Sequence, residues 1–313
     1  MAECRKIPVV IDCDPGVDDI LALILARRSL RLDVRAITAV AGNVELDRTL
    51  ANALKVVSFL DWDVPVARGA DRPICCPLHT AKEVHGADGM LGVTLPDTDR
   101  QPVAELAWDV IWNEAVRAEG ELTLIAVGPL TNVALALARH PDLPRYLKRI
   151  VVMGGAFSGG NTTPATEFNI YVDPEAAEMV LHSGVPVVLC PLDVTHKAYI
   201  TAEEGAAVSR AGVPETELFA KLAVRGIGHG GRYTGGKGAA LHDPCAVLFA
   251  EDDSYFTYER CSVVVETAGL ITRGMTVTDL WSDKQLELNN AYVVYDIDRE
   301  RFIAHIGELM AQY

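Results

Sequence analysis

Short runs of apolar, often β-branched residues recur along the chain, and each is followed by a stretch with the apolar spacing of a helix. Runs that are apolar throughout are typical of strands buried on both faces of a sheet. The pattern predicts such strands at residues 7–12, 34–41, 122–127, 150–153 and 185–190. It predicts helices after or between them at residues 19–28, 46–60, 132–139 and 174–182. This alternation indicates a mainly parallel sheet with helices on both faces.

The later part of the chain carries clear element boundaries. Asp173 followed by Pro174 provides an N-cap and a first-turn proline, and Thr201 with Glu204 three positions on matches a capping box. Further elements are predicted as strands at 262–266 and 291–296 and a closing helix at 299–312. Since no linker, low-complexity tract or repeat interrupts the sequence, we expect one open, Rossmann-like α/β domain over residues 1–313, with extra C-terminal strands.

The composition of the 313 residues narrows the possible functions. The chain has 28 Lys and Arg against 43 Asp and Glu, a formal charge of −15, which repels polyanions, so no nucleic-acid partner is expected. Hydrophobic residues make up 50% and charged residues 23%, which excludes disordered and fibrous classes. No apolar run approaches the roughly 18 to 20 residues of a membrane span, and no secretion signal is visible. We expect a soluble protein without a membrane partner.

The seven cysteines are scattered and form no C-x-x-C pair. An odd number of cysteines in apolar segments indicates reduced thiols and a cytoplasmic location. Cys75 and Cys76 are adjacent, but no neighbouring motif indicates an activated thiolate, so redox chemistry is the less favoured interpretation of this pair.

Four carboxylates stand in the stretch D-C-D-P-G-V-D-D at residues 12–19, between the first predicted strand and the first predicted helix. Ligands of open α/β sheets bind at the carboxyl ends of strands. Charges this close repel one another unless a cation or bound protons offset them. Because no His or Cys is clustered there, the donors favour Ca²⁺ or Mg²⁺ over Zn²⁺. Stabilisation of a helix N-terminus could explain Asp18 and Asp19, but hardly all four.

The pattern D-x-D-P-G-x-D-D resembles the nucleoside hydrolase family, the inosine-uridine preferring N-ribohydrolases. Further segments fit that family in order: A-G-N at 41–43, G-P-L-T-N at 128–132, M-G-G at 153–155, T-E-F-N at 166–169 and H-D-P at 242–244. A D-x-D after the first strand also suggests a phosphatase of the haloacid dehalogenase type, but that pattern continues with Thr or Val where this chain has Gly16. An EF-hand would require Glu in place of Leu23.

The resemblance implies Ca²⁺-dependent hydrolysis of the N-glycosidic bond of ribonucleosides, with release of a free purine or pyrimidine base and ribose. The implied metal ligands are Asp14, Asp19, the Thr131 carbonyl and Asp243. Asp14 would also remove a proton from the metal-bound water, and His242 would assist departure of the base. The substrate contacts that the resemblance implies are Asp18, Asn43, His85, Met153, Asn161, Glu167, Asn169 and Tyr233.

Other interpretations stay open at this point. A catalytically silent, Ca²⁺-dependent nucleoside-binding protein would keep Asp19, Asp243 and Glu167, although the presence of both Asp14 and His242 argues against it. Base preference is undetermined.

The glycine-rich segment 226–238, which contains His229, Arg232 and Tyr233, could be a flexible loop, a phosphate cradle or a lid over the base, and the lid is favoured. The resemblance implies a homodimer or homotetramer. Trp108 and Trp112 could belong to the core or to a subunit interface, and the core is the favoured location.

Overall fold

A central sheet with helices packed around it organises the chain, which the computed structural model describes over residues 6–230, 234–281, 283 and 285–311. The strands in these ranges are β1 (Ile7–Cys13), β2 (Leu32–Ala39), β3 (Val66–Arg68), β4 (Leu122–Ala126), β5 (Leu147–Met153), β6 (Val187–Cys190), β7 (Tyr199–Ile200), β8 (Ala239–Ala240), β9 (Phe256–Val265), β10 (Thr276–Asp279) and β11 (Ala291–Ile297). The α-helices are α1 (Val17–Arg28), α2 (Leu46–Phe59), α3 (Lys82–His85), α4 (Ala107–Arg117), α5 (Thr131–Arg139), α6 (Phe168–Val172), α7 (Pro174–Leu181), α8 (Leu192–Thr195), α9 (Ala202–Val208), α10 (Pro214–Gly230), α11 (His242–Glu251) and α12 (Arg299–Ala311).

The large sheet has nine strands in the order β10-β9-β11-β6-β5-β4-β1-β2-β3. All pairs from β11 to β3 are parallel, and β9 runs antiparallel to both β11 and β10. Strands β7 and β8 form a separate antiparallel pair. The predicted single α/β domain, with a mainly parallel sheet and extra C-terminal strands, is confirmed.

The strand order reverses direction at β1, which fixes where a ligand can bind. β1 pairs with β2 on one side and with β4 on the other. The connections that follow β1 and β4 therefore lead toward opposite edges of the sheet. Asp12 is in register with Thr38 on β2 and with Ala126 on β4. The loops that follow these strands therefore begin at the same height and open a crevice between them.

Two apolar layers cover the faces of the sheet and hold this edge in place. Val9 and Ile11 of β1 join one layer, and Val10 between them joins the other. Helix α1 is buried along most of its length in the first layer, which explains why its sequence is apolar on every side rather than striped. Trp108 and Trp112 pack against the second layer.

The structure differs from the sequence prediction in the glycine-rich segment. Its first residues, 226–230, belong to α10 instead of a loop. Leu218, Phe219, Leu222 and Ala223 are buried along α10, and this packing offsets the cost of about 1 kcal/mol that each interior glycine imposes on a helix. Residues 231–233, including Arg232 and Tyr233, lie outside the described residues. Among the helices that are described, none combines the length and apolar character of a membrane span.

Candidate active site

The loop between β1 and α1 folds around the carboxylate of Asp19. The backbone N–H of Asp14 donates to Asp19 Oδ1 at 3.0 Å, and the N–H of Gly16 donates to Oδ2 at 2.9 Å. Asn43, in the loop after β2, adds a bond from its Nδ2 to the same Oδ2 at 3.2 Å. These bonds fix both the start of α1 and the orientation of Asp19.

Asp14 is fully buried, and only one of its oxygens is satisfied within the described part of the chain. The Asn43 N–H donates to Asp14 Oδ2 at 2.6 Å, whereas Oδ1 has no hydrogen-bond partner there. Glycines at 42 and 128 make room for the carboxylate, since a Cβ at Gly42 would overlap Oδ2 and one at Gly128 would lie 2.6 Å from Oδ1. The buried Oδ1 is an unsatisfied acceptor that can bind a cation or accept a hydrogen bond from a water molecule.

Asp18, Asp19 and Asp243 bring carboxylate oxygens within 4.8 Å of one another. Asp18 and Asp19 lie in the first turn of α1 and Asp243 in the first turn of α11, so the cluster joins two helix N-termini that are distant in sequence. Burial raises the pKa of Asp243 far above its usual range, and the charges of Asp18, Asp19 and Asp14 raise it further. Burial, followed by the charge of Asp18, raises the pKa of Asp19 to about 7.

The same forces act on Asp14, whose pKa burial and the charge of Asp19 raise well above its usual range. These carboxylates would therefore bind protons unless a cation offsets their charge. A donor set made of carboxylate oxygens fits a hard divalent cation. The cluster could hold a metal ion, as the sequence predicts.

The metal ligands that the sequence predicts and the carboxylates that cluster in the structure are only partly the same residues. Asp18, predicted as a substrate contact, takes part in the cluster of three carboxylates, while Asp14 does not. Thr131 is buried at the start of α5, and its hydroxyl donates to Asp173 Oδ2 at 2.7 Å. Asp14 is joined to the cluster through its backbone bond to Asp19 and through Asn43.

A cavity of about 340 Å³ opens above the cluster, within the size range of small-molecule sites. Most residues that the sequence assigned to substrate or catalysis line it, namely Asp18, Asn43, His85, Met153, Asn161, Glu167, Asn169, His242 and Asp243. Asp14 and Asp19 do not line the cavity. Each accepts a hydrogen bond from Asn43, which does line it. Tyr233, the remaining predicted contact, lies outside the described residues.

Glu167 and Asn169 join the ends of β4 and β5 beneath the cavity. Glu167 caps α6 by accepting the N–H of Asn169 at 2.8 Å and of Ile170 at 3.1 Å, and it also accepts the Gly155 N–H at 3.0 Å. The Asn169 Nδ2 donates to the Val127 carbonyl at 2.8 Å. Burial raises the pKa of Glu167 to about 7 despite these bonds.

Two histidines face the cavity from different elements. His242 Nδ1 lies 2.8 Å from the Thr195 hydroxyl, its ring packs edge-on against His196 at 5.7 Å, and burial lowers its pKa. His85 sits at the end of α3, where its Nδ1 accepts the Val17 N–H at 3.3 Å and lies 4.0 Å from Asp18 Oδ1. Both rings can therefore reach a molecule bound in the cavity.

Several residues of the site escaped sequence reasoning. Asp12, the first of the four carboxylates in the stretch 12–19, is buried, and its Oδ1 accepts from Thr38 Oγ1 at 2.5 Å and from Asn132 Nδ2 at 2.7 Å. The G-P-L-T-N motif carried a signal for Asn132, whereas nothing marked Thr38. Other contributors without a sequence signal are Thr195 and His196 beside His242, and His79 and Leu222 in the cavity wall.

Comparison with known proteins gives a consistent result. Residues 9–304 match the model of the inosine-uridine preferring nucleoside hydrolase family. The chain is 45% identical over 312 residues to the pyrimidine-specific ribonucleoside hydrolase RihA of Citrobacter koseri, which covers 98% of this chain and 99% of that protein. A plant nucleoside hydrolase, PpNRh1, superposes with a TM-score of 0.91 at 32% identity and covers 99% and 100% of the two chains. The purine-preferring ribonucleoside hydrolase of Gardnerella vaginalis gives a TM-score of 0.89 at 30% identity, with 97% and 99% covered.

Proposed function

The chain belongs to the inosine-uridine preferring nucleoside hydrolase family and cleaves the N-glycosidic bond of ribonucleosides, and we propose that it does so with Ca²⁺, with Asp14 as general base and His242 as general acid. The observation that carries this proposal is Asp14 Oδ1, a buried carboxylate oxygen without a partner in the described part of the chain, beside a cluster of carboxylates. When bound, Ca²⁺ would polarise the attacking water and orient the ribose hydroxyls. Its ligands would come from Asp14, Asp19, Asp243 and the Thr131 carbonyl.

Asp14 accepts the proton of the attacking water in this mechanism. Its Oδ2 is held by the Asn43 N–H, so Oδ1 is the oxygen left to take the proton. Removal of the proton makes the water a better nucleophile toward C1′ of the ribose. The sugar gains positive charge as the bond to the base breaks, so contacts to its hydroxyls from Asp18, Asn43, Asn161, Glu167 and Asn169 stabilise that state.

The Thr195 hydroxyl orients His242 for its part in the reaction. A hydroxyl that donates to Nδ1 leaves the ring proton on Nε2, the nitrogen then available to protonate the departing base. We predict that His242→Ala lowers kcat for uridine by about 10²- to 10⁴-fold, and that Thr195→Val lowers it by a smaller factor. With 4-nitrophenyl riboside, whose leaving group needs no proton, both variants should stay within about tenfold of wild type. An equal loss on both substrates would contradict the role of His242 as an acid.

The close contact between Gly128 and the Asp14 carboxylate leads to a second prediction. Gly128→Ala places a Cβ 2.6 Å from Asp14 Oδ1 and 2.9 Å from Val40 Cγ1, so the carboxylate must move. A displacement of about 1 Å of a reacting group costs about 10²-fold in kcat. Gly307→Ala, where nothing lies within 4 Å of the added Cβ, is the matched control and should keep full activity. Steady-state kinetics combined with thermal unfolding separate a displaced base from a damaged fold.

We propose a preference for pyrimidine ribonucleosides, which the similarity to the pyrimidine-specific relative supports. The expected result is a kcat/KM at least about tenfold higher for uridine and cytidine than for inosine, equal to about 1.4 kcal/mol of discrimination. Release of reducing sugar from the three nucleosides measures the ratio. Equal or faster cleavage of inosine would overturn the preference and leave the hydrolase assignment in place.

We also propose a cytoplasmic homodimer or homotetramer that binds neither nucleic acid nor membranes. The net charge of −15 supports the first of these exclusions. Light scattering coupled to size-exclusion chromatography tests the oligomeric state, and a monomeric mass would refute it.

A further inference from the structure

Cys75 and Cys76 lie in the loop between β3 and α3, and the proposed hydrolysis uses neither of them. Cys75 is exposed and Cys76 is partly exposed. The other cysteines within the described ranges, Cys13, Cys190, Cys245 and Cys261, are buried. Among these six side chains, a dissolved oxidant therefore reaches the adjacent pair first.

An arginine from a distant part of the chain contacts the Cys76 sulfur. Arg273, in the turn between β9 and β10, places Nη2 3.1 Å from Cys76 Sγ and 2.8 Å from Glu175 Oε2. Its Nη1 donates to the Thr267 carbonyl of the same turn, which holds the guanidinium in place. Glu175 Oε2 lies 4.0 Å from the sulfur, farther than the guanidinium nitrogen. Negative charge on Cys76 Sγ is thus nearer to the positive group than to the negative one.

We propose that Cys75 and Cys76 form a thiol modification site for hydroperoxides, in which Cys76 is oxidised first and Cys75 then closes a disulfide with it. The Cys76 thiolate attacks the terminal oxygen of the hydroperoxide, so an S–O bond forms and the O–O bond breaks. The leaving group is hydroxide from hydrogen peroxide or an alkoxide from an alkyl hydroperoxide, and it takes up the proton that the thiol lost. The sulfur loses two electrons to the peroxide. The Cys75 sulfur then attacks the sulfenic acid, the S–S bond forms, and the hydroxyl leaves as water with the Cys75 proton.

The position of the pair makes this modification reversible and connects it to Thr131, one of the proposed metal ligands. Adjacent Cα atoms are about 3.8 Å apart, less than most disulfides span, so the ring is strained and a dithiol reductant opens it readily. The neighbouring Ile74 N–H donates to Asp173 Oδ2 at 2.9 Å, the oxygen that also accepts from Thr131. Ring closure alters the backbone beside Ile74, and with it the support of Thr131.

Mass spectrometry of the full-length protein treated with hydrogen peroxide tests the site without any activity assay. In the wild type, the peptide that contains both cysteines should lose two hydrogens, resist alkylation and recover both thiols with dithiothreitol. In Cys75→Ser, dimedone should trap a sulfenic acid at Cys76. Arg273→Gln should slow the reaction of Cys76 about tenfold, whereas Arg145→Gln, an exposed arginine elsewhere, should leave the rate unchanged.

Three results would overturn the proposal: dimedone labelling at Cys75 in preference to Cys76, an unchanged rate in Arg273→Gln with an unchanged melting temperature, or oxidation of Cys13 or Cys261 as fast as of the pair. Because the readout is the mass of a peptide, failure here is separate from failure of the proposed hydrolase mechanism.

Discussion

Asp14→Asn should lower kcat for uridine by about 10³- to 10⁴-fold, the upper part of the range for general-base catalysis, while the protein remains folded. The amide keeps the shape of the side chain and an oxygen for the Asn43 N–H, but it cannot take a proton from water. The substitution also removes one charge from a buried group of carboxylates that repel one another. In the absence of Ca²⁺ we therefore expect the melting temperature to stay unchanged or to rise.

Asp12→Asn is the matched control for this prediction. Asp12 is equally buried two positions earlier, and its Oδ2 likewise has no hydrogen-bond partner in the described structure. Its Oδ1, however, accepts from Thr38 and Asn132, which do not line the cavity, whereas Asn43, which donates to Asp14, does. An asparagine oxygen can keep both bonds, so kcat should stay within about tenfold of wild type. If Asp12→Asn is as inactive as Asp14→Asn, or if Asp14→Asn keeps a kcat within a few-fold of wild type, Asp14 is not the base.

Removal of divalent cations should abolish turnover, and Ca²⁺ should restore it. Asp14, Asp19 and Asp243 are buried together without a compensating positive group among their hydrogen-bond partners in the described structure, so a cation lowers the free energy of the folded state. Chelated protein should therefore melt at a lower temperature. Ca²⁺ at about 100 times its dissociation constant adds about 2.7 kcal/mol to the free energy of unfolding.

Asp243→Asn tests the same prediction from the protein side. This variant should lose most of the Ca²⁺-dependent rise in melting temperature together with its activity, because it removes a charge from the cluster. Asp193→Asn, which alters a carboxylate that accepts the Phe157 N–H outside the cavity, should keep both properties. Full activity after exhaustive chelation would contradict metal dependence.

Much of the fold follows from local sequence signals. The runs of apolar residues located β1 and β4 closely, because strands that are buried on both faces along most or all of their length read as unbroken apolar runs. The three-residue β3 was missed because so short a run has no detectable periodicity. The glycine-rich pattern favours a lid over residues 226–238 and does not reveal that 226–230 continue α10, because the packing of Leu218 and Phe219 that holds the helix is a tertiary effect.

In the site, too, residues that are adjacent in sequence could be predicted, whereas contacts between residues far apart in sequence could not. Asp14, Asp18 and Asp19 were found because they stand together in sequence at a strand end. Asn43, from the loop after β2, donates hydrogen bonds to Asp14 and Asp19. Thr195, 47 positions before His242, contacts that histidine. Such partners are fixed by sheet order and loop geometry rather than by spacing. The contact of Arg273 with Cys76, 197 positions apart, was likewise invisible to the sequence pattern.

A crystal structure of the protein with Ca²⁺ and a non-hydrolysable ribonucleoside analogue is the most direct test of the proposed mechanism. We predict an ion with oxygens of Asp14, Asp19, Asp243 and the Thr131 carbonyl at about 2.3–2.6 Å, and a water between Asp14 Oδ1 and C1′ of the sugar. An ion held by Asp18, Asp19 and Asp243 alone, with Asp14 in contact with neither ion nor water, would contradict it.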